Sequence, residues 1–257
     1  MTSNPQFFTE KISLPLPDDL NSVMGKGESF LLKKHDISTT VGILKGRDFG
    51  LSRDLLVKRF NYRGFFDFIL HKLFNSRAKR LWKRTLRLYR EGLAVPEPVA
   101  YEEASFKHRN SFFFSYVIEN AENLMDIYRK GLFGEVQGLL GGLAQTISEW
   151  HLKGVVHGDL KWPNILVQRT GEGYRFFLID LDQARFYAAP SIRGIIKDLK
   201  RFYRFGLEVD AEDWVESEFF PAYRAFIPEE IRIKIDFDEI KQRATEDWIK
   251  KGRKMLI

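Results

Sequence analysis

Apolar positions recur with two spacings along the chain, and these spacings predict strands and helices. Short runs rich in β-branched and aromatic residues predict strands at 29–34, 40–45, 55–60 and 112–119. A spacing of three to four residues predicts helices at 64–90 with a break near Asn75-Ser76, at 136–153, at 192–205, at 214–226 and at 237–251. We therefore expect an α+β chain with most of its strands early and most of its helices late.

The stretch Val155–Phe186 (VVHGDLKWPNILVQRTGEGYRFFLIDLDQARF) contains a predicted hairpin. Ile165–Val167 indicates one strand and Phe176–Ile179 the returning strand, with turn residues at 170–173 between them. Such a hairpin brings three polar side chains to one edge of the sheet, those of Asp159, Asn164 and Asp180.

These three side chains suit phosphoryl transfer. An acid that accepts a proton can orient the attacking hydroxyl, while an amide oxygen and a second acid can hold the magnesium that bridges the nucleotide phosphates. The alternative is a hairpin whose carboxylates only cap turns.

The composition adds limits to this picture. The 257 residues are 44% hydrophobic and 30% charged, as expected for a soluble globular protein of one or two lobes. No run approaches the length of a membrane span, and the N-terminus lacks the pattern of a secretory signal. The chain has no cysteine, which excludes disulfides and thiolate metal sites and suits a reducing cytosol.

Positive charge is concentrated in one stretch of the chain. Lys58–Arg90 holds eleven Lys and Arg residues and one acid, Asp67, so its net charge is +10, and the rest of the chain sums to −4 to give +6. A basic face of this kind indicates an anionic partner. No nucleic-acid motif accompanies it, so we do not expect a nucleic-acid partner; a solvated charged helix face is the remaining alternative.

Two segments carry a resemblance to a known superfamily. HGDLKWPN resembles the H-R-D-L-K-x-x-N catalytic loop of the protein-kinase-like superfamily, and Ile179-Asp180-Leu181-Asp182 stands where its members carry D-F-G. With EGLAVPEPVA and IKDLKRFYRF, the set resembles the bacterial lipopolysaccharide core kinases, the heptose and Kdo kinases. The resemblance covers about residues 28–205.

The resemblance implies a bilobal protein-kinase-like fold. We expect an N-terminal extension over residues 1–27, an N-lobe with a small antiparallel sheet over 28–118, and a mainly helical C-lobe over 119–257. No A-P-E motif follows Asp182, and the segment before the next helix is short, which favours a small or glycan hydroxyl as acceptor over a protein.

The resemblance also implies roles for residues of the second half. Asp159 would accept or orient the proton of the acceptor hydroxyl, and Lys161 would neutralise charge on the γ-phosphoryl group. Asn164 and Asp180 would hold Mg²⁺, and Asp182 would be a further contact to the metal or to the acceptor, or a turn cap. Three other polar residues are expected to have structural places: His157 bracing the loop, His151 packed on its helix, and Asp198 on a helix surface.

The nucleotide site is expected in the first half and at the hinge. Lys58 would contact the non-transferred phosphates of ATP, unless it is an ordinary exposed strand lysine. Ser38, Thr39 and Thr40 stand where a Gly-rich loop would cover the phosphates, and Glu119 and Ala121 would face the adenine. No G-x-G-x-x-G occurs there, and Leu81 occupies the helix position at which kinases offer a glutamate to the strand lysine.

The function that the resemblance implies is ATP- and Mg²⁺-dependent phosphorylation of a heptose or Kdo hydroxyl of the lipopolysaccharide inner core. The substrate would be a lipid-linked core oligosaccharide at the cytoplasmic face of the bacterial inner membrane, met through peripheral contact of the stretch Lys58–Arg90. Two alternatives stay open. One is a small-molecule kinase of the aminoglycoside or choline phosphotransferase type, and the other is a catalytically impaired nucleotide-binding scaffold.

Overall fold

The computed structural model describes residues 24, 30–61, 76–103, 110–131, 138–171 and 173–252. The chain divides into two compact units, Met1–Ile118 and Glu119–Ile257. Except for Met24, the predicted N-terminal extension lies outside the described residues, as does the first half of the helix predicted at 64–90.

The described part of the first unit contains an antiparallel sheet of five strands in the order β1-β2-β3-β5-β4. Its strands are β1 (Phe30–His35), β2 (Thr39–Leu44), β3 (Leu55–Phe60), β4 (Pro98–Glu102) and β5 (Ser111–Tyr116). Apolar residues of the inner strands form its core, namely Leu44, Leu55, Val57, Phe112 and Phe114. The small antiparallel sheet predicted for the N-terminal part is therefore present, and strand β3 has the predicted bounds.

One helix, α1 (Arg77–Arg90), packs on this sheet. It begins where the sequence indicates, because the Ser76 side chain accepts a hydrogen bond of 3.2 Å from the backbone N–H of Lys79 and so caps the helix. Leu81 and Trp82 are buried, and the Trp82 ring lies 5.1 Å from that of Tyr101 on β4. The apolar stripe of α1 thus serves the core, as its spacing predicts.

The described part of the second unit is mainly helical and includes two small sheets. Its helices are α2 (Leu124–Arg129), α3 (Leu139–Leu152), α4 (Ile192–Glu208), α5 (Glu212–Trp214), α6 (Phe220–Phe226), α7 (Glu229–Arg232) and α8 (Phe237–Lys250), with a π-helical turn (Val215–Phe219) between α5 and α6. Its strands are β6 (Ala121–Asn123), β7 (Val155–Val156), β8 (Ile165–Thr170), β9 (Gly173–Leu178) and β10 (Arg185–Phe186).

The predicted hairpin is the pair β8–β9, in which Ile165 faces Leu178 and Thr170 faces Gly173. Strand β6 pairs along the outer side of β8, and β7 pairs with β10. The short strands β6, β7 and β10 have too few residues to show a periodicity, so the apolar pattern does not reveal them. The predicted α+β class is confirmed.

Helix α4 lies at the centre of the second unit. Its apolar face is buried, with Leu199 and Phe202 fully enclosed. The Phe202 ring packs 5.8 Å from that of Trp162 in the loop before β8 and 4.3 Å from that of Phe219. This aromatic packing fixes α4 directly beneath the loop that joins β7 to β8.

Candidate active site

The loop between β7 and β8 is anchored to helix α4 by a buried carboxylate. Asp198 accepts a hydrogen bond of 2.6 Å from the backbone N–H of His157 and one of 2.8 Å from that of Gly158. The residue is 0% exposed. The expectation that Asp198 lies on a helix surface was wrong: two charge-assisted bonds from backbone amides compensate the carboxylate for its burial.

His151 completes this buried anchor. Its Nδ1 lies 2.7 Å from the hydroxyl oxygen of Tyr223 on α6, and its Nε2 lies 3.4 Å from Oδ2 of Asp198. Burial, and then the charge of Asp198, raises the pKa of Tyr223 far above its usual range, so the phenol stays protonated. The structure therefore gives His151 the structural role that the sequence indicated.

His157 links the loop to the end of strand β9. Its Nε2 lies 2.9 Å from the carbonyl oxygen of Ile179, and its Nδ1 lies 3.3 Å from the backbone N–H of Asp159. Because a carbonyl accepts and an N–H donates, the proton of the neutral imidazole is on Nε2. His157 braces the loop as expected, and it holds the residues beside Asp159 and Asp180 together.

A glycine is required between His157 and Asp159. Gly158 has φ = +85°, and a Cβ at this position would meet the carbonyl oxygen of Gln183 at 2.6 Å. Both facts exclude other side chains, since a positive φ is costly for them and the space is already filled. The loop therefore passes close beneath the segment that follows β9.

The Asp159 carboxylate lies between two cations. Its Oδ2 is 3.0 Å from Nζ of Lys161, and its Oδ1 is 3.0 Å from Nε of Arg201. Nδ2 of Asn164 donates to the Asp159 carbonyl oxygen at 3.0 Å. The structure thus brings together three residues that the sequence singled out, together with one that it did not.

These contacts set the ionisation of Asp159. Burial raises the pKa of Asp159, but hydrogen bonds from Lys161 and Arg201, together with their positive charges, hold it below its ordinary value. The carboxylate is therefore ionised at neutral pH and can accept a hydrogen bond from a hydroxyl.

Arg201 is the residue that sequence reasoning missed. It stands on α4 three positions after Asp198, so both residues lie on the same helix face towards the loop. No local signal marks this contact, because a buried acid on an amphipathic helix has the same sequence pattern as an exposed one.

Asn164 and Asp180 lie next to each other. The backbone N–H of Ile179 donates to the Asn164 carbonyl oxygen at 2.9 Å, which fixes the start of β8 beside the end of β9. Asp180 follows directly, with φ = +61°. The Asn164 side chain donates through its NH₂ group to Asp159. Its Oδ1 can therefore serve as a metal ligand.

These donors fit Mg²⁺. The ion takes oxygen ligands and is commonly held by one or two carboxylates together with substrate phosphates. Asn164 and Asp180 supply an amide oxygen and a carboxylate, and Asp182 lies in the short turn Leu181–Gln183 two residues later. Among the described residues no group of three or more His, Cys, Asp or Glu side chains has the arrangement of a metal centre of its own.

The first unit places Lys58 on strand β3, opposite Val41 of β2 and Phe113 of β5. The residue is 9% exposed, and its Nζ lies 5.3 Å from the ring centroid of Phe60. Lys58 is therefore not an ordinary exposed strand lysine. Leu81, which takes the position of the expected glutamate, is buried in the core.

The turn between β1 and β2 is organised by Asp36. Its Oδ1 accepts hydrogen bonds from the backbone N–H groups of Ser38 at 2.8 Å and Thr39 at 2.7 Å, and from the Ser38 hydroxyl at 2.9 Å. Partial burial raises the pKa of Asp36, but these bonds lower it well below its usual range. Thr40 is buried, and its hydroxyl oxygen accepts a 3.1 Å hydrogen bond from Arg59.

The predicted hinge residues lie at the start of the second unit. The Glu119 carbonyl oxygen accepts a 2.8 Å hydrogen bond from the Gln168 side chain, and Ala121 pairs with Gln168 in the small sheet. Glu119 and Ala121 are therefore fixed against strand β8.

The comparisons with known proteins agree with this geometry. A family model described as "Lipopolysaccharide kinase (Kdo/WaaP) family" matches residues 52–226. A 3-deoxy-D-manno-octulosonic acid kinase of Pasteurella multocida is 27% identical over 231 residues, covering 89% of this chain and 81% of the relative. Another of that name, from Actinobacillus succinogenes, is 27% identical over 149 residues, covering 54% of this chain and 61% of the relative.

A solved structure has the same fold. "WaaP in complex with acyl carrier protein" matches with a TM-score of 0.59 and 18% identity, covering 84% of this chain and 88% of that one. At this identity the likeness shows the fold alone, and it confirms the predicted protein-kinase-like fold. Since the family model also matches well over half of the chain, the protein belongs to the lipopolysaccharide kinase (Kdo/WaaP) family and is a sugar kinase.

Proposed function

We propose that the protein transfers the γ-phosphoryl group of ATP to a hydroxyl of a lipopolysaccharide inner-core sugar, with Kdo as the preferred acceptor over heptose. The observation that carries the proposal is the Asp159 carboxylate, ionised and held at 3.0 Å from each of Lys161 and Arg201 beside Asn164. The choice of Kdo is supported by the relatives named 3-deoxy-D-manno-octulosonic acid kinases.

Asp159 has the central role in the proposed reaction. Its carboxylate accepts a hydrogen bond from the acceptor hydroxyl, orients the oxygen towards the γ-phosphorus, and takes the proton as the new P–O bond forms and the bond to ADP breaks. Lys161 stabilises the negative charge on the transferred group. Because His157, Gly158 and Asp198 fix the loop, these side chains need little reorganisation during the reaction.

Asn164 and Asp180 would hold Mg²⁺, with Asp182 as a further contact. Magnesium, when bound, would neutralise the charge of the nucleotide phosphates. Lys58 would contact the non-transferred phosphates, and its place on strand β3, 9% exposed and beside the Phe60 ring, supports this role. The turn residues Ser38, Thr39 and Thr40 would lie over the phosphates, and Glu119 and Ala121 would face the adenine.

The β1–β2 turn supports phosphate contact in one respect. The backbone N–H groups of Ser38 and Thr39 converge on a single anion, the Asp36 carboxylate. Converging amides of this kind also suit phosphate oxygens. A nucleotide phosphate would have to share these donors with Asp36 or displace it.

We further propose that helix α1 carries the membrane contact of the enzyme at the cytoplasmic face of the inner membrane. Lys83, Arg87 and Arg90 are exposed on this helix, and Glu91, at its C-terminal end, pairs with Arg87 at 2.8 Å. Each basic side chain near an anionic lipid surface contributes about 1 kcal/mol, so a cluster of them suffices for peripheral binding. In the described part of the chain, no helix is long and apolar enough to cross a membrane.

Phosphate transfer tests the proposed reaction. Purified protein would be incubated with γ-labelled ATP, Mg²⁺ and one of three acceptors: core oligosaccharide ending in unphosphorylated Kdo, core oligosaccharide with unphosphorylated heptose, or an aminoglycoside. We expect label on the Kdo acceptor and its loss when Mg²⁺ is chelated. Transfer to heptose alone would reject the Kdo preference, and transfer to the aminoglycoside alone would favour the small-molecule alternative.

The membrane contact has its own test. The variant with Lys83, Arg87 and Arg90 changed to glutamate should lose sedimentation with vesicles containing anionic phospholipid. A control with the same charge change at exposed Lys234, Lys250 and Lys251 should keep it. Equal loss in both variants would mean that net charge, and not helix α1, determines the binding.

A further inference from the structure

We propose that Arg201 is a positioning residue of this kinase, which fixes the orientation of the Asp159 carboxylate from helix α4. The inference rests on the proposed phosphoryl transfer, because it gives Arg201 its role through Asp159. The juxtaposition that carries it is the contact of 3.0 Å between Nε of Arg201 and Oδ1 of Asp159.

The two cations around Asp159, Lys161 and Arg201, lie on different kinds of structural element. Lys161 belongs to the same loop as Asp159 and presents one ammonium group at the end of a flexible side chain. Arg201 stands instead on helix α4, whose position is set by the packing of Phe202. A planar guanidinium on a rigid element restricts the direction of the carboxylate more than a lysine on a loop can.

The guanidinium of Arg201 is itself held in place. Its Nη1 forms an ion pair of 3.6 Å with Oε1 of Glu208, too long for a hydrogen bond, and the same oxygen accepts a hydrogen bond of 3.1 Å from Nε of Arg204. The Arg201 guanidinium lies 5.9 Å from the ring centroid of Phe205. The side chains of Arg201 and Glu208 are 20% and 13% exposed, so solvent screens this network only in part.

Helix α4 thus fixes both the backbone just before Asp159 and the Asp159 side chain. Asp198 binds the backbone N–H groups of His157 and Gly158, and Arg201, one turn later, binds the carboxylate of Asp159. The carboxylate then has one defined orientation before the acceptor arrives, and small errors in such an orientation lower the rate strongly.

Kinetics of Arg201→Gln test this role. Because a hydrogen bond to a charged group is lost, we expect kcat to fall about 10- to 100-fold, while KM for ATP stays within about 2-fold of wild type. The matched control is Lys200→Gln, the adjacent residue on α4, whose ion pair with Asp247 at 2.8 Å involves α8 and not Asp159. The control should keep kcat and KM for ATP within about 2-fold of the wild-type values.

A double-mutant cycle separates positioning from a general structural effect. In the Asp159→Asn background, Arg201→Gln should change kcat less than about 3-fold, because its target carboxylate is already gone. If Arg201→Gln costs the same factor in both backgrounds, Arg201 does not act through Asp159 and the inference is wrong.

A spectroscopic readout decides the contact without any acceptor. In wild-type protein the Nε–H resonance of Arg201, assigned by its absence in Arg201→Gln, should exchange slowly with water, and it should exchange much faster in Asp159→Ala. Equal exchange in both proteins would overturn the inference. If the wild type transfers phosphate to no acceptor, the proposed function fails, while this measurement still supports or rejects the link between Arg201 and Asp159.

Discussion

The backbone N–H of His157 donates a hydrogen bond of 2.6 Å to the carboxylate of Asp198, although 41 positions separate the two residues in the chain. The contact joins the start of the loop between β7 and β8 to helix α4. It means that the position of Asp159 depends on a carboxylate buried behind the loop.

Replacing Asp198 should therefore affect both stability and activity. Asp198→Ala leaves the N–H groups of His157 and Gly158 buried without acceptors, and each lost partner costs about 1–3 kcal/mol. We expect a lower midpoint in urea unfolding and at least a tenfold fall in kcat. The control Asp213→Ala removes an acid from the short helix α5, where no residue is buried. It should leave the urea midpoint and kcat equal to those of wild type within experimental error.

Gly158→Ala should damage the same loop through its backbone. The added Cβ would lie 2.6 Å from the Gln183 carbonyl oxygen at φ = +85°, so the loop or the segment after β9 must move. Strained conformations of this kind cost about 1–3 kcal/mol. The free energy of unfolding and kcat should both fall.

Gly171→Ala is the matched control for that change. This glycine lies in the β8–β9 turn, and among the described residues no atom beyond the glycine and its chain neighbours lies within 4 Å of the Cβ that would be added. Its effect on urea unfolding should stay within about 0.5 kcal/mol. If Gly158→Ala were equally mild, the close passage of the loop beneath Gln183 would be refuted.

Asp54 should contribute to the pH dependence of stability. Its carboxylate accepts hydrogen bonds from Nζ of Lys45 at 2.9 Å and from the Gly46 backbone N–H at 3.0 Å, and these lower the pKa of Asp54 in the folded protein. A folded pKa below the unfolded one gives stability that is fully present above the unfolded value of about 3.9 and is lost as the pH falls through the folded value.

The difference in the free energy of unfolding between wild type and Asp54→Asn isolates the contribution of Asp54. Urea unfolding at several pH values should show wild type more stable at pH 7, with the difference shrinking as the pH falls below about 4. A difference that stays constant down to strongly acid pH would contradict the pKa shift of Asp54.

The sequence predicted the parts of the fold that leave a local pattern. Strand β3, the Ser76 cap and the β8–β9 hairpin depend on neighbouring residues, so their periodicity and turn residues are visible in the chain. Strand β6 could not be predicted, because three residues are too few to show a periodicity and its partner Gln168 is far away in sequence.

The candidate site divides in the same way. Asp159, Lys161 and Asn164 fall within one short motif, so their proximity in the structure was predictable from their spacing. Asp198 and Arg201 reach the loop only through the packing of helix α4, a long-range contact that one sequence does not display. A buried acid on an amphipathic helix resembles an exposed one until its partners are known.

Asp159→Asn and Lys58→Met should have different effects on the kinetic constants. Asparagine keeps the size of Asp159 but cannot take a proton, so kcat should fall by about 10²–10⁴ with little change in KM for ATP. Methionine keeps the apolar stem of Lys58 beside Phe60 but loses the charge, so KM for ATP should rise, and kcat should fall as well if the phosphates are misplaced.

Steady-state kinetics with the acceptor that takes up label in the transfer assay would measure both variants, and urea unfolding would check that each is folded. Lys45→Met is the control for the second variant, since Lys45 follows strand β2 and pairs with Asp54, before β3, at 2.9 Å. An Asp159→Asn enzyme with unchanged kcat would remove the proposed base from the mechanism. If instead Lys58→Met bound ATP like wild type, the nucleotide phosphates would have to be held by other residues, and the β1–β2 turn around Asp36 would be the first place to examine.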